Sequence, residues 1–228
     1  AVTGGEFLVR WQDPELGWVS PGRFIPVAEQ SGLILELGQW ILDQAVAILA
    51  ELQQDPATAG VQGAVNVAAP ELYDPHWAQG VLDRLQDRDL DPRLLEVEVT
   101  ERVLAGSEEG RAVTNLRHLR DAGAHVSVDD FGTGYSSLAY IHRLPISRVK
   151  IDKQFVDPLP VAEGGISLAR VVVEMADGLG LETIAEGIEE PDQGQALRDM
   201  GCTYAQGFYY ANPMPLADFA ERMRSSRA

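Results

Sequence analysis

The sequence predicts an α/β fold of the (β/α) barrel type, and three observations carry that expectation. Short β-branched or apolar runs alternate with longer segments of helical period, the order that builds a parallel sheet. Seven such units follow one another with no Ser/Gly linker, low-complexity block or charge run between them, so residues 1–228 are predicted to form one domain. Nearly every strand candidate ends in a polar residue. A doubly wound open sheet would gather such residues near its switch point, whereas a barrel brings all its strand ends to one mouth.

In chain order, the strand candidates are Glu6 to Trp11, Gly63 to Val67, Leu95 to Val99, His125 to Val128, Arg148 to Ile151, Thr183 to Ala185 and Thr203 to Ala205. Among the helices Leu35 to Leu52 has the clearest period, with Leu37, Trp40, Ile41, Ala45, Ile48, Leu49 and Leu52 as its apolar stripe. Further helices are predicted near Trp77 to Leu85, Glu109 to Asp121, Ile166 to Leu179, Asp192 to Met200 and Leu216 to Met223. Tyr135 to Arg143 reads as a shorter helix that stops before Pro145.

Composition excludes several function classes. A formal charge of -17 would repel a nucleic-acid backbone, so no nucleic-acid polymer is expected as a partner. A small anionic ligand is still compatible, because carboxylates that chelate divalent cations reverse the local charge. Cys202 is the only cysteine, which removes disulfide frameworks and Cys-based zinc cages and fits a reducing, cytoplasmic compartment. No apolar run is long enough to cross a bilayer, although a longer parent protein could carry a membrane anchor. His76, His118, His125 and His142 show no i, i+4 pairing, so any metal would be held by oxygen. There is no signal peptide, and a first residue of Ala1 rather than Met suggests a piece of a longer protein.

The polar strand ends are Glu6, Asn66, Glu98, Asp129 with Asp130, Lys150 with Asp152, Glu186 and Gln206. Taken singly, each reads as a cap, a turn residue or a solvated charge. Capping does not account for Asn66, Lys150 and Gln206 at one level. So many carboxylates at one mouth cannot all stay ionised without cations. Mg2+ or Mn2+ would relieve the repulsion, and a bridging Asp could hold two ions about 4 Å apart, an arrangement used for in-line displacement at phosphorus. The segment Asp129-Asp130-Phe131-Gly132-Thr133-Gly134-Tyr135-Ser136-Ser137 adds a turn rich in glycine directly after the double Asp.

These segments resemble the EAL family of bacterial cyclic di-GMP phosphodiesterases from Gly5 to about Pro215. The likeness runs through Glu6-Phe7-Leu8-Val9-Arg10-Trp11, Ser20-Pro21 with Phe24-Ile25-Pro26, Val65-Asn66-Val67, Glu98-Val99-Thr100-Glu101, the Asp129 to Ser137 segment, Val149-Lys150-Ile151-Asp152, Ala185-Glu186-Gly187-Ile188-Glu189 and Gln206-Gly207-Phe208. The resemblance implies a TIM-like barrel and hydrolysis of cyclic di-GMP to linear 5'-pGpG with two Mg2+ or Mn2+ ions. By similarity Glu6, Asn66, Glu98 and Asp129 look like ligands of one ion, with Asp129, Asp130 and Glu186 around the second. Lys150 resembles the lysine that helps activate the attacking water. Arg10 looks like a phosphate-binding arginine, suited by its bidentate fork. Thr100, Asp152, Glu189 and Gln206 match positions near the substrate or the metal shell, and Glu101 looks like an anchor for the Asp129 to Ser137 segment. A homodimer is implied, as is a regulatory or cyclase domain upstream.

The chain departs from the family pattern in three places. The alanine of the signature is Phe7; alternation along the strand sets it opposite Glu6, which makes a packing role the expected one. Ala68-Ala69-Pro70-Glu71 stands where small polar and basic residues are usual. The family's strand before the signature, with its glutamine, has no equivalent, so the barrel is expected to lack its first strand. Two other readings compete: a catalytically inactive receptor for the same ligand, and another metal-dependent barrel enzyme.

Overall fold

The computed structural model describes residues 2–104, 110–132, 141, 143–160 and 167–227. The packing resolves two compact units: Ala1–Glu98 with Gly110–His125 and Met214–Ala228, and Val99–Glu109 with Val126–Pro213.

In the first unit, β1 (Gly4–Glu6), β4 (Gln62–Asn66) and β5 (Leu95–Thr100) pair in parallel, with Glu6 beside Ala64 and Asn66 beside Glu98. Period-two alternation sorts their side chains. Gly63, Val65, Leu95 and Val97 turn to a buried apolar layer, while Glu6, Asn66, Glu96 and Glu98 share the other face. Helices α1 (Pro21–Ser31), α2 (Ile34–Gln53), α3 (Trp77–Gln86), α5 (Arg111–Asp121) and α9 (Leu216–Arg227) complete the unit. Pro21 opens α1 and Gly32, left-handed at φ 79°, closes it.

In the second unit β6 (His125–Phe131), β7 (Arg148–Ile151), β8 (Glu182–Ala185) and β9 (Tyr204–Ala205) also pair in parallel. Here α4 (Glu101–Leu104), α6 (Lys153–Val156), α7 (Leu168–Gly178) and α8 (Pro191–Met200) accompany the strands. A capping box between Glu190 and Gln193 starts α8, and Gly201 at φ 88° ends it.

Most predicted elements are present with ends moved by one to four residues, and two expectations need correction. The signature segment is not one strand from Glu6 to Trp11. The parallel strand ends at Glu6, and Trp11 begins a hairpin of β2 (Trp11–Asp13) and β3 (Gly17–Val19). Asp13 Oδ1 makes that turn by accepting the Glu15 and Leu16 N–H groups at 2.9 Å each. The stripe of α2 is also rotated: Ile34, Gly38, Leu42, Ala45, Val46, Leu49 and Leu52 are buried and Trp40 is 53% exposed. The predicted Tyr135 to Arg143 helix lies outside the described residues, except for 141 and 143, as do Glu109 and Ile166 at two predicted helix starts.

Candidate active site

In the first unit the strand ends place two candidate ligands in contact. Asn66 Nδ2 donates to Glu6 Oε1 at 2.6 Å, which aims the Asn66 carbonyl oxygen away from that carboxylate. Glu98, 2% exposed, sits beside Asn66 in register, and its backbone carbonyl accepts the Val67 N–H at 2.9 Å. Phe7 lies on the opposite side, against Gly63 and Leu49 of α2, as alternation requires. The bulky residue in the signature is thus accommodated in the helix layer over a glycine, on the face opposite Glu6. Arg10 is exposed and its guanidinium bonds the neighbouring Val9 carbonyl at 3.0 Å.

In the second unit, Lys150 is 1% exposed on the same strand face as Arg148. Its ammonium lies 2.7 Å from Glu186 Oε1 and 3.4 Å from Asp129 Oδ1. A charge buried so deeply requires compensation, and these two carboxylates supply it. Gln206 Nε2 donates to the same Glu186 oxygen at 2.8 Å, so Lys150, Glu186 and Gln206 form a chain of polar contacts across three adjacent strands.

The β6 register shifts between Val128 and Phe131, and Asp130 is left-handed at φ 53°, a costly conformation for a residue with a side chain. The kink takes Asp130 out of simple alternation. Its carboxyl titrates above its ordinary range, chiefly through burial and then through the neighbouring Asp129 and Asp152 carboxylates, with Lys150 opposing. Asp152 also caps α6, accepting the Gln154 N–H at 2.8 Å. Glu189 is exposed and pairs with Lys153 at 3.0 Å, whose stem covers Gly187, a position at φ 69° where any side chain would meet that lysine. Thr100, exposed, ends β5, and Glu101, 8% exposed, opens α4. Residues 133–137, which Glu101 is expected to tether, lie outside the described residues.

Among the described residues no three His, Cys, Asp or Glu side chains already form a ligating cluster. The donors nonetheless suit a hard divalent ion: they are all oxygen, and such an ion would offset both the burial and the Asp129 and Asp152 repulsion that raise Asp130. One level below the strand ends, each unit holds a further buried polar residue that the pattern of strand ends did not mark. Arg148, 3% exposed, pairs with Glu182 at 2.8 Å and lies over the Tyr204 ring at 5.0 Å, while Glu96 is buried two residues before Glu98. The period-two positions of Glu96 and Arg148 relative to Glu98 and Lys150 were the available signal.

Parallel strands whose C-terminal ends carry the polar residues and whose other face is apolar define an α/β protein of the TIM-barrel class. Seven such strands are present among the described residues, one fewer than a full barrel has. Compared with known families, the chain matches the EAL domain over residues 1–213, and it belongs to that family. It is 38% identical over 225 residues to the cyclic di-GMP phosphodiesterase NbdA of Pseudomonas aeruginosa, covering 97% of this chain and 28% of NbdA. The bifunctional diguanylate cyclase/cyclic di-GMP phosphodiesterase MucR of the same organism is 37% identical over 227 residues, covering 100% of this chain and 32% of MucR. The chain therefore spans between about a quarter and a third of the length of these relatives. The solved MucR phosphodiesterase in complex with cyclic di-GMP matches with a TM-score of 0.86 at 36% identity, over 95% of this chain and 87% of that one. The EAL enzyme Bd1971, bound to cAMP and cyclic di-GMP, matches with a TM-score of 0.89 at 30% identity, over 97% and 60%.

Proposed function

We propose that this chain hydrolyses one phosphodiester of cyclic di-GMP to linear 5'-pGpG. Two Mg2+ or Mn2+ ions would be held by Glu6, Asn66, Glu98, Asp129, Asp130 and Glu186. The observation that supports this most is Lys150, almost fully buried yet held in place by Glu186 and Asp129, in a chain whose relatives include named cyclic di-GMP phosphodiesterases. Bound at those oxygens, the ions would polarise the scissile phosphodiester and activate water for in-line attack.

The residues of the chain divide the remaining work. Lys150 orients the attacking water and balances the charge that develops as the P–O bond breaks. Glu186 fixes Lys150, and Gln206 fixes Glu186 through the same oxygen. Arg10 is exposed, with its guanidinium on the neighbouring Val9 carbonyl, and its bidentate fork suits a non-bridging oxygen pair. Thr100, Asp152 and Glu189 contribute polar contacts to the nucleotide, with Lys153 steadying Glu189. Glu101 anchors the segment after Asp130.

Incubation with cyclic di-GMP and Mn2+, with products followed by chromatography, tests the proposal. The linear dinucleotide is expected. Binding measured by calorimetry without any product would instead make the chain a receptor. A homodimer belongs to the same proposal and is tested by light scattering.

A further inference from the structure

Five residues beyond Asn66 the first unit buries a carboxyl that the proposed chemistry does not use. Glu71 is 4% exposed and opens the 3-10 turn Glu71–Tyr73. Its Oε2 accepts the Ala68 N–H at 2.9 Å, which closes the chain back on the segment leaving β4. Its Oε1 faces α2 at Gly38, where any side chain would overlap the carboxyl. Neither that oxygen nor the buried Trp77 Nε1 completes a hydrogen bond of normal geometry, though the indole exerts a small pull on the carboxylate. Beyond the turn, Asn115 of α5 donates to the carbonyls of Leu72 at 2.9 Å and Asp74 at 2.7 Å. The segment from Asn66 to Asp74 is thus tied at its start by Glu6 and Glu98, at its end by Asn115, and in its middle by Glu71.

A carboxylate in this pocket has one good N–H donor, too few for a buried charge. Burial pushes the Glu71 carboxyl up to about 7 from an ordinary 4.5, against the weaker opposing effects of the Ala68 N–H and Trp77. The charged and titratable groups on the elements packed against it are Glu36, Asp43 and Glu51 on α2, His76, Asp83 and Arg84 about α3, Arg111, Arg117, His118, Arg120 and Asp121 on α5, and the adjoining Tyr73 and Asp74. None of them is among the causes of the shift. Arg84 is engaged with Asp43 at 2.6 Å and Arg111 reaches the Tyr73 carbonyl at 3.4 Å.

We propose that Glu71 is a positioning residue for Asn66: its buried carboxyl keeps the Asn66–Glu71 turn closed through Ala68, and on ionisation the cost of burying the charge exceeds what the strengthened Ala68 bond returns, so the turn opens toward water. The link to catalysis rests on the reading of Asn66 as a metal ligand. The behaviour of the turn does not. Two measurements on the full chain separate these claims. The first follows the 15N-resolved signals of Ala68 and Asn66 from pH 5.5 to 8.5 without metal. A shared step with a midpoint near 7 is expected, absent in Glu71→Gln, which keeps an acceptor but cannot ionise. No step at Ala68, or the same step in Glu71→Gln, overturns the switch; a step at Ala68 that leaves Asn66 unmoved overturns the positioning role. The second compares Mn2+ affinity of the two proteins at pH 6 and pH 8. If only the closed turn is competent, wild type should weaken relative to Glu71→Gln by up to about tenfold at pH 8. An unchanged ratio, with the titration step intact, would refute the ligand reading of Asn66 and leave the switch standing.

Discussion

Phe7 and Gly63 make a pair whose energetics can be worked out from the structure. Gly63 is in the middle of β4, between Gly5 and Leu95, with no positive φ, so its backbone accepts alanine. An added methyl would overlap the Phe7 ring and stand 3.1 Å from Leu49 Cδ2. Overpacking of a core costs about 1–3 kcal/mol. Alanine regains about 0.5–1 kcal/mol by restricting the unfolded chain. Gly63→Ala alone should therefore destabilise by roughly 1–2 kcal/mol. Phe7 is only partly buried, so Phe7→Ala should cost about 2 kcal/mol, below the range for a fully buried ring. In the double variant the new methyl enters the space the ring has left, and the protein should be as stable as Phe7→Ala or slightly more so. The coupling energy is then about -1 to -2 kcal/mol, well outside the scatter for independent sites. Urea unfolding of the four proteins, compared by midpoint at constant m-value, measures it. Additivity within about 0.5 kcal/mol would show that Phe7 does not occupy the space over Gly63, and that the signature strand is turned differently.

Lys150→Met should reduce turnover by roughly two or more orders of magnitude while Mn2+ still binds. The variant should also melt lower without metal, because Asp129 and Glu186 lose their shared cation, and should regain that loss when Mn2+ is added; near-normal turnover removes Lys150 from the mechanism. Glu101→Ala should keep its fold and weaken cyclic di-GMP binding modestly in Ca2+, while turnover in Mn2+ falls much further. Parallel small changes in both would reduce Glu101 to a helix-terminal charge. For Glu71 the sign of the pH effect follows from its raised folded value. The native state binds the proton more tightly, so this group's contribution is full below about 4.5 and is lost as pH rises through about 7. Glu71→Gln should gain on wild type by about 2–3 kcal/mol between pH 5 and pH 8. Thermal melts across that range check it, and a gap that is constant with pH would deny the titration.

The parallel strands were legible because their apolar positions recur at period two and their flanks are short, and the same alternation placed Phe7 away from Glu6. What escaped were elements whose signals are local and polar. The hairpin from Trp11 to Val19 follows directly from the signature, so a run of apolar residues joined two strands of opposite purpose into one candidate. The second strand belongs to a hairpin whose turn is made by Asp13, Pro14 and Gly17, chemistry that an apolar count does not weigh. The stripe of α2 was rotated because Trp40 is large and apolar yet 53% exposed, while Gly38 is buried with a carboxyl from another segment resting on it. Hydrophobicity identifies the helix, but the side that packs is chosen by what lies across from it.

For the candidate site, strand ends suggested the positions and the resemblance suggested the roles, but neither could give the pairings. Asn66 shows why. In sequence it is an amide where a ligand would be useful; in the structure its nitrogen is committed to Glu6, and that contact fixes which atom it can offer a cation. Lys150 shows the same logic with charge. A lysine on a strand reads as a structural ion pair or a catalytic group, and the structure adds that it is 1% exposed between Glu186 and Asp129. Placing an ammonium there costs solvation that a structural core would avoid with an apolar residue of equal volume. Its position beside Asp130, itself held at a left-handed φ, concentrates both the electrostatic and the backbone strain of this unit at the ends of β6 and β7. A fold that needed only stability would relieve that strain, whereas the proposed chemistry at phosphorus would use it.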